Sequence, residues 1–273
     1  MDQSNYTPKK SLGQHFLHDM NIARKIVEEL RPAVGDTILE IGPGKGVLTG
    51  LLVASGARVV AADIDERSIE ALRDRFPANS TPNLRLLHAD ILDVALADVD
   101  WLHGVPVRVI GNLPYNITSQ ILFRLFDQHE RIRDAVFMMQ REVADRLVAP
   151  HGGKDYGILS VVTQVHARVH RCFHVSPNVF TPRPKVWSSV VHLDFHGALL
   201  GEIRNYSFFR SLVKATFGKR RKTLANTLRF AEIDSSALQD THADWLALRP
   251  EQLAIGDFIT LSNILLGYER RTD

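Results

Sequence analysis

A single cysteine, Cys172, stands among 273 residues, which excludes an internal disulfide. No apolar run is long enough to span a membrane, and no apolar segment near the N-terminus resembles a signal peptide, so a cytosolic protein is the expectation. Internal repeats and long low-complexity tracts are also missing. Carboxylates are scarce in one region: between Tyr156 and Ala231 only Asp194 and Glu202 occur, against twelve Lys and Arg, which leaves that stretch at +10. The remainder carries 21 basic and 29 acidic residues, so the overall +2 hides a basic segment joined to an acidic one. Such asymmetry points to a polyanionic partner on one face, and the lack of a spanning run to no membrane partner. With 45% apolar residues the chain can bury a substantial core, enough for one large domain and a smaller one.

What is present begins with a glycine loop. The apolar run Thr37-Ile38-Leu39 leads into Glu40-Ile41-Gly42-Pro43-Gly44-Lys45-Gly46, and Val47-Leu48-Thr49 follows. This reads as strand, turn and helix, with Gly56 closing the helix, and the glycines let the backbone approach a ligand closely. Glu40, at the end of a buried strand, reads as support for that loop rather than as a catalytic acid. A second strand, Arg58–Ala62, ends at Asp63, 21 positions after Gly42, the spacing at which a carboxylate meets ribose hydroxyls in a doubly wound sheet. The loop is G-x-G-x-G and lacks the G-x-G-x-x-G of dinucleotide sites, which disfavours a nicotinamide cofactor. A third strand, Leu84–His88, leads to Asp90, and a fourth, Val107–Ile110, leads to Asn112. Gly42, Asp63, Asp90 and Asn112 therefore share the carboxyl side of an open α/β sheet, where ligands bind.

Asn112-Leu113-Pro114-Tyr115 carries the most chemistry. The exocyclic amine of adenine is a poor nucleophile because its lone pair is delocalised into the ring. The Asn112 side-chain oxygen and the Leu113 carbonyl can each accept one of its N–H groups and favour an sp³ nitrogen that attacks. Pro114 fixes the turn and removes a competing donor, and Tyr115 offers a face for a base extruded from its stack. An ordinary strand-end turn uses Asn and Pro as well; the glycine loop and the acids upstream tip the balance to a site.

These residues resemble a known family, the S-adenosylmethionine-dependent adenine dimethyltransferases of small-subunit rRNA, which modify two adjacent adenosines near its 3′ end. Five motifs carry the resemblance in the family's order: Lys10–Leu17, Glu40–Gly46, Asn112–Ile117, Phe180–Val186 and Phe217–Leu224. It implies a methyltransferase domain at 1–200 with a Rossmann-like sheet and a basic N-terminal arm that includes Lys9 and Lys10, and a smaller helical RNA-binding domain at 201–273. It implies S-adenosylmethionine as cofactor, immature small ribosomal subunits as partner, a part in their biogenesis, and no metal. By residue, Gly42 lies against the cofactor, Asp63 holds its ribose and Asp90 takes its adenine amine. His15 and Leu17 close over it, and Asn112 serves both its methionine end and the target nitrogen. Tyr115 and Phe180 sandwich the target adenine, and Leu113 and Pro114 belong to the same catalytic motif. The family commonly has Asn where this chain has His15 and Glu where it has Asp63.

Along the chain, a helix is expected from about Asp19 to Leu30, with Ile22, Ile26 and Leu30 on one face, and another around Ile117–Phe126. A strand at Ala135–Met139 follows, then a loop at Pro150–Lys154. Strand-like segments around Val165–Val175 and Val186–Phe195 form an antiparallel edge pair, and the pattern turns helical from about Gly201. His166, His170 and His174 have helical metal-site spacing, yet the apolar residues alternating with them make the segment a strand with a polar face. Cys172 has no activating partner in view. Trp187 and Trp245 read as core or interface aromatics. Lys219–Lys222, the densest basic run, lacks carboxylates for intrahelical pairing and reads as a phosphate contact. A large-subunit rRNA methyltransferase of the antibiotic-resistance type, a nicotinamide oxidoreductase and a non-enzymatic assembly factor are the rival assignments. The Phe217–Leu224 motif, the glycine spacing and the intact Asn112 and Tyr115 weigh against each in turn.

Overall fold

The structure, a computed structural model, describes residues 7–9, 12–196 and 201–266. Lys10 and Ser11, which open the first of the five motifs, lie outside the described residues. In chain order the elements are β1 (Phe16–Leu17), α1 (Met20–Leu30), β2 (Thr37–Ile41), α2 (Val47–Ala54), β3 (Arg58–Asp63), α3 (Glu66–Arg75), β4 (Leu84–His88), β5 (Val107–Asn112) and α4 (Thr118–Phe126). There follow β6 (Ile132–Gln140), α5 (Arg141–Leu147), α6 (Ile158–His166), β7 (Arg168–Val175), β8 (Phe180–Thr181), β9 (Ser188–Asp194), α7 (Tyr206–Phe217), α8 (Leu224–Phe230) and α9 (Ile255–Leu265).

Two compact units result. The first holds residues 1–144 and 168–196, the second 145–167 and 197–273. A single cut near residue 200 therefore differs from the structure in one respect, because 145–167 groups with the C-terminal helices. The reason is α6: the segment expected to run as a strand from Val165 is a helix up to His166, and β7 starts at Arg168. Its Val161, Val162 and His166 are buried at helical spacing, and the Ser160 hydroxyl accepts from the Gly157 N–H at 3.0 Å to start it. The run of β-branched valines in this helix looks like a strand locally.

In the first unit a seven-stranded sheet runs β4-β3-β2-β5-β6-β9-β7. β4, β3, β2, β5 and β6 are parallel, while β9 pairs antiparallel with both β6 and β7. The antiparallel edge pair is thus present. Every residue of β2 is buried, as a parallel strand covered on both faces must be. Each fully buried Leu or Ile there contributes roughly 1.5–3 kcal/mol. α1 starts on Asp19, whose carboxylate accepts from the Asn21 and Ile22 N–H groups, and buries Ala23, Ile26, Val27 and Leu30 along one stripe. Strand order reverses between β2 and β5, and this switch point is the crevice an open sheet offers to ligands. Close strand approach there requires Gly111, where a Cβ would lie 2.6 Å from the Ile41 carbonyl oxygen.

The second unit packs α6, α7, α8 and α9 around Tyr156, Phe209, Phe217 and Phe258, with Phe217 stacked on Phe258 at 5.5 Å between ring centres. Lys219–Lys222 lies in the turn between α7 and α8 and not on a helix face. Arg220 is engaged within the unit, by the Gly153 carbonyl at 3.0 Å and Glu251 at 4.0 Å, whereas Lys219, Arg221 and Lys222 are exposed. No helix among the described residues is long and apolar enough to cross a membrane.

Candidate active site

One cleft at the carboxyl side of the sheet is lined by residues 12–16, Gly42, Gly44, Asp63, Ile64 and 112–115. Its floor is the glycine loop, where Gly42, Gly44 and Gly46 all have left-handed backbone angles (φ 68°, 53° and 73°) that a side chain would strain. Gly42 faces Asn112 across the switch point, since a Cβ on it would touch the Asn112 carbonyl oxygen at 3.7 Å.

Asp63 ends β3 nearly buried, 8% exposed. Its two oxygens accept from the Gly44 N–H at 3.3 Å and the Asp65 N–H at 2.9 Å, so the carboxylate is aimed while each oxygen keeps a lone pair to offer. Burial raises its pKa, against the pull of those hydrogen bonds. Glu40 lies deeper. Burial pushes it up to about 7, Thr49 opposes the shift and the nearby Asp63 charge adds to it. Its Oε2 is buried without a hydrogen-bond partner.

Asp65 is a hub that sequence reasoning missed; the signal was its place two residues beyond the acid of β3. The Arg67 guanidinium, then Gln14 and Lys9, hold its carboxyl down to about 2. Gln14 Nε2 donates to it at 2.9 Å and Lys9 Nζ stands 3.7 Å away, so the segment before β1 is tied to the sheet. Lys9, assigned above to a basic arm, spends its charge on this contact.

Asn112 is oriented by its neighbour. Its Nδ2 donates to the His15 carbonyl oxygen at 2.9 Å, which leaves Oδ1 as an acceptor for something else. The following turn takes up the Pro114 carbonyl, which accepts from Ile117 N–H at 3.3 Å and the Thr118 hydroxyl at 2.8 Å. The Leu113 carbonyl stays outside that bonding, while its side chain is buried and its N–H donates to Met138 O. The Tyr115 hydroxyl bonds Ser188 Oγ at 2.6 Å, and burial raises its pKa. The His15 ring lies 5.3 Å from the Tyr115 ring, tilted by 31°, and is held by its Nδ1–H donating to Pro182 O at 2.7 Å.

Of the residues singled out from sequence, His15, Gly42, Asp63, Asn112, Leu113, Pro114 and Tyr115 meet in this cleft. Leu17 and Phe180 do not line it. They pair with each other across β1 and β8 and are buried in the hydrophobic core, 6% and 3% exposed. The two-residue strands turn these side chains inward, and they anchor the loop that follows. Asp90 stands two residues past β4, where Oδ1 accepts from Leu92 N–H at 2.9 Å, outside the lining of the cleft. The three histidines share no face, since His166 is buried in α6 while His170 and His174 lie on β7. His170 does approach Glu29 and Cys172, with ligand-type atoms within 4.8 Å of one another. Burial and the Glu29 carboxylate push the Cys172 thiol up to about 12, so it stays protonated beside Glu29. Trp187 is not a core residue, being 51% exposed.

Residues 5–264 match the family model described as ribosomal RNA adenine dimethylase. The chain is 38% identical over 97% of its length to a ribosomal RNA small subunit methyltransferase A of Pseudomonas fluorescens, covering 95% of that protein. It is 39% identical to the protein of that name in Francisella tularensis subsp. novicida, over 94% of this chain and 97% of that one. Among solved structures, it superposes on a dimethyladenosine transferase from Plasmodium falciparum with a TM-score of 0.76 at 25% identity, covering 93% and 97% of the two chains. On the 23S rRNA methyltransferase ErmE the TM-score is 0.64 at 26% identity, covering 92% and 99%.

Proposed function

The chain belongs to the ribosomal RNA adenine dimethylase family, and from that premise we propose that it transfers methyl groups from S-adenosylmethionine to N6 of two adjacent adenosines near the 3′ end of small-subunit rRNA. The substrate is the immature small ribosomal subunit in the cytoplasm, and the modification belongs to its biogenesis. The observation that carries this is the oriented amide of Asn112: one Nδ2 N–H donates to the His15 carbonyl, which fixes the plane of the amide and leaves Oδ1 as an acceptor with no partner among the described residues. An adenine N6 needs acceptors there, whereas a carbonyl substrate would need donors.

The cleft fits a nucleoside-type cofactor. The glycine loop leaves room where side chains would stand, and Asp63 offers aimed acceptors to ribose hydroxyls. Bound there, S-adenosylmethionine supplies a methyl group made electrophilic by its positive sulfur. The protein's part is positioning and exclusion of water. Asn112 Oδ1 and the Leu113 carbonyl take the two N–H groups of N6 and draw its lone pair out of conjugation. Tyr115, braced by Ser188, supplies the stacking face. N6 grows acidic as it acquires charge and sheds its proton to water, so no strong base is required. Phe180 serves by anchoring β8 from the core, and Asp90, whose Oδ1 takes the Leu92 N–H in the turn after β4, offers its other oxygen to the adenine amine of the cofactor. The exposed Lys219, Arg221 and Lys222 suit the C-terminal unit to RNA phosphates.

The test is labelled methyl transfer onto unmethylated small subunits with nucleoside mapping, comparing the natural chain with Asn112→Ala. Dimethyladenosine at two adjacent positions is expected, with transfer reduced about 10²–10³-fold in the variant, the loss seen when one preorganised polar group is removed from an active site. Normal turnover by Asn112→Ala would refute the mechanism, and label in large-subunit rRNA would move the assignment to that substrate.

A further inference from the structure

Between its two anchors at the active site, the loop from Phe180 to Ser188 forms an exposed arch. One anchor is β8, held to β1 and followed by Pro182, whose carbonyl takes the His15 Nδ1–H at 2.7 Å. The other is Ser188, fully buried, with its hydroxyl 2.6 Å from the Tyr115 hydroxyl. The Trp187 carbonyl is fixed as well, accepting from Arg141 N–H at 2.9 Å. Inside the arch only Pro184 is buried, while Arg183, Lys185, Val186 and Trp187 are exposed. Arg183, Lys185 and Trp187 line an open cleft with Pro177 and Asn178, and no carboxylate belongs to its lining. Neither cation is paired with an acid among the described residues.

Trp187 (51% exposed) and Val186 beside it (43%) put adjoining apolar surface into water, and a contiguous patch of this kind marks an interaction site. The backbone at Trp187 is pinned, so the indole is displayed on a rigid support. Two unpaired cations next to an aromatic face, with acids absent, is the arrangement that takes a nucleotide, base on the ring and phosphate on the cations. Building on the function proposed above, we propose that Trp187 stacks the base of a nucleotide adjoining the target adenosine while Arg183 and Lys185 neutralise the flanking phosphates. The strand entering the Tyr115 pocket must cross its rim, and this arch is pinned to that pocket at both ends. Trp187 is thus a binding residue for flanking sequence, separate from the groups that hold N6.

Steady-state methyl transfer onto unmethylated small subunits, with the full chain, tests this. Trp187→Ala is expected to raise KM for the particle roughly ten-fold, within the range of losing one base stack, with kcat and cofactor affinity little changed. Trp187→Phe should restore most of the loss. Replacing Arg183 and Lys185 together by Ala should lower the salt dependence of binding by about one to two phosphate contacts. An unchanged KM in Trp187→Ala overturns the proposal, as does an equal loss in the Phe variant or a loss of cofactor affinity, either of which marks mere support of the loop. A second readout does not depend on turnover. In the Trp101→Phe/Trp245→Phe chain, fluorescence of Trp187 should be quenched by single-stranded oligoadenylate, and no quenching at saturation overturns the stack. Absence of transfer by the natural chain would strike the assigned function instead, leaving the fluorescence test to decide this surface.

Discussion

At the amino ends of β2, β5 and β6, Asp36 and Asp134 share the guanidinium of Arg108; toward the carboxyl ends of β2 and β3, Glu40 and Asp63 face no cation among the described residues. Arg108 donates to Asp134 Oδ1 at 2.7 Å and Asp36 Oδ2 at 2.8 Å, and it also reaches the Leu30 and Arg31 carbonyls at the end of α1. Burial alone would raise Asp134, but Arg108 outweighs it and holds that carboxyl down to about 2. Glu40, more deeply buried and with no cation beside it among the described residues, rises to about 7. One sheet thus contains a closed set of buried charges and an open one. The closed set fastens β2, β5, β6 and α1 together. Of the open set Asp63 lines the cleft, while Glu40 lies buried behind it, and buried groups with shifted ionisation of this kind collect at functional sites.

The largest expected effect breaks the closed set. Arg108→Leu leaves Asp36 only the exposed Arg133 at 3.5 Å and Asp134 only His192 at 3.4 Å, and should cost about 3–5 kcal/mol of stability, as removal of one partner from a buried ion pair does. A shift of the denaturation midpoint measures it. Adding Asp134→Leu should recover part of the loss, because the more buried of the two deprived carboxylates is then gone and Asp36 keeps Arg133 at 3.5 Å. An unchanged midpoint in Arg108→Leu would mean that the two ends do not differ in the way described.

The open set is legible in sequence and the closed set is not. Gly42, Asp63 and Asn112 stand at the ends of apolar runs whose lengths mark strands, and carboxyl-end placement follows from parallel order alone. Arg108 lies inside such a run as one polar letter, and its partners Asp36 and Asp134 are 72 and 26 positions away, so only tertiary pairing reveals it. The same limit governs Phe180 and Leu17, whose inward facing is settled by two paired residues of β1 and β8, too short for any periodicity. The end of α6 at Val165 and His166 runs into the alternating pattern of β7, so the helix goes unread and the inclusion of 145–167 in the helical unit is hidden. Trp187 has the chemistry of a core residue, though its neighbours Arg183 and Lys185 already argue for a wet, anionic partner.

The next effect separates the ends by pH. Asp134 has a lowered pKa, so its contribution is present above the ordinary aspartate value of 3.8 and is lost as pH falls toward about 2. Glu40 has a raised pKa, so the sign reverses: the unfolded chain ionises first, and stability is lost as pH climbs from 4.5 through about 7. Glu40→Gln removes that penalty. It should match the natural chain near pH 4 and exceed it by up to about 3 kcal/mol at pH 8, at roughly 1.4 kcal/mol for each pH step of one between the unfolded and folded values. Thermal unfolding at the two pH values reads this, and equal stability at pH 8 would show that Glu40 is ionised without cost and hence already partnered.

The smallest effect falls on binding alone. Asp63→Asn keeps the shape of the side chain but removes its charge and one of its two acceptors, so either the Gly44 or the Asp65 N–H loses its bond. Charge-assisted hydrogen bonds are roughly twice as strong as neutral ones, which puts the expected loss of S-adenosylmethionine affinity at about ten-fold, with stability changed by less than about 1 kcal/mol. Burial already raises the Asp63 pKa, so part of what the charge contributes to the ligand is taken back in folding, and the two effects offset in the unliganded protein. Calorimetric titration of both chains decides the matter. If Asp63→Asn lowers stability as much as Arg108→Leu while binding the cofactor normally, Asp63 belongs with the closed set, and the carboxyl end of the sheet is held together by the same logic as the amino end.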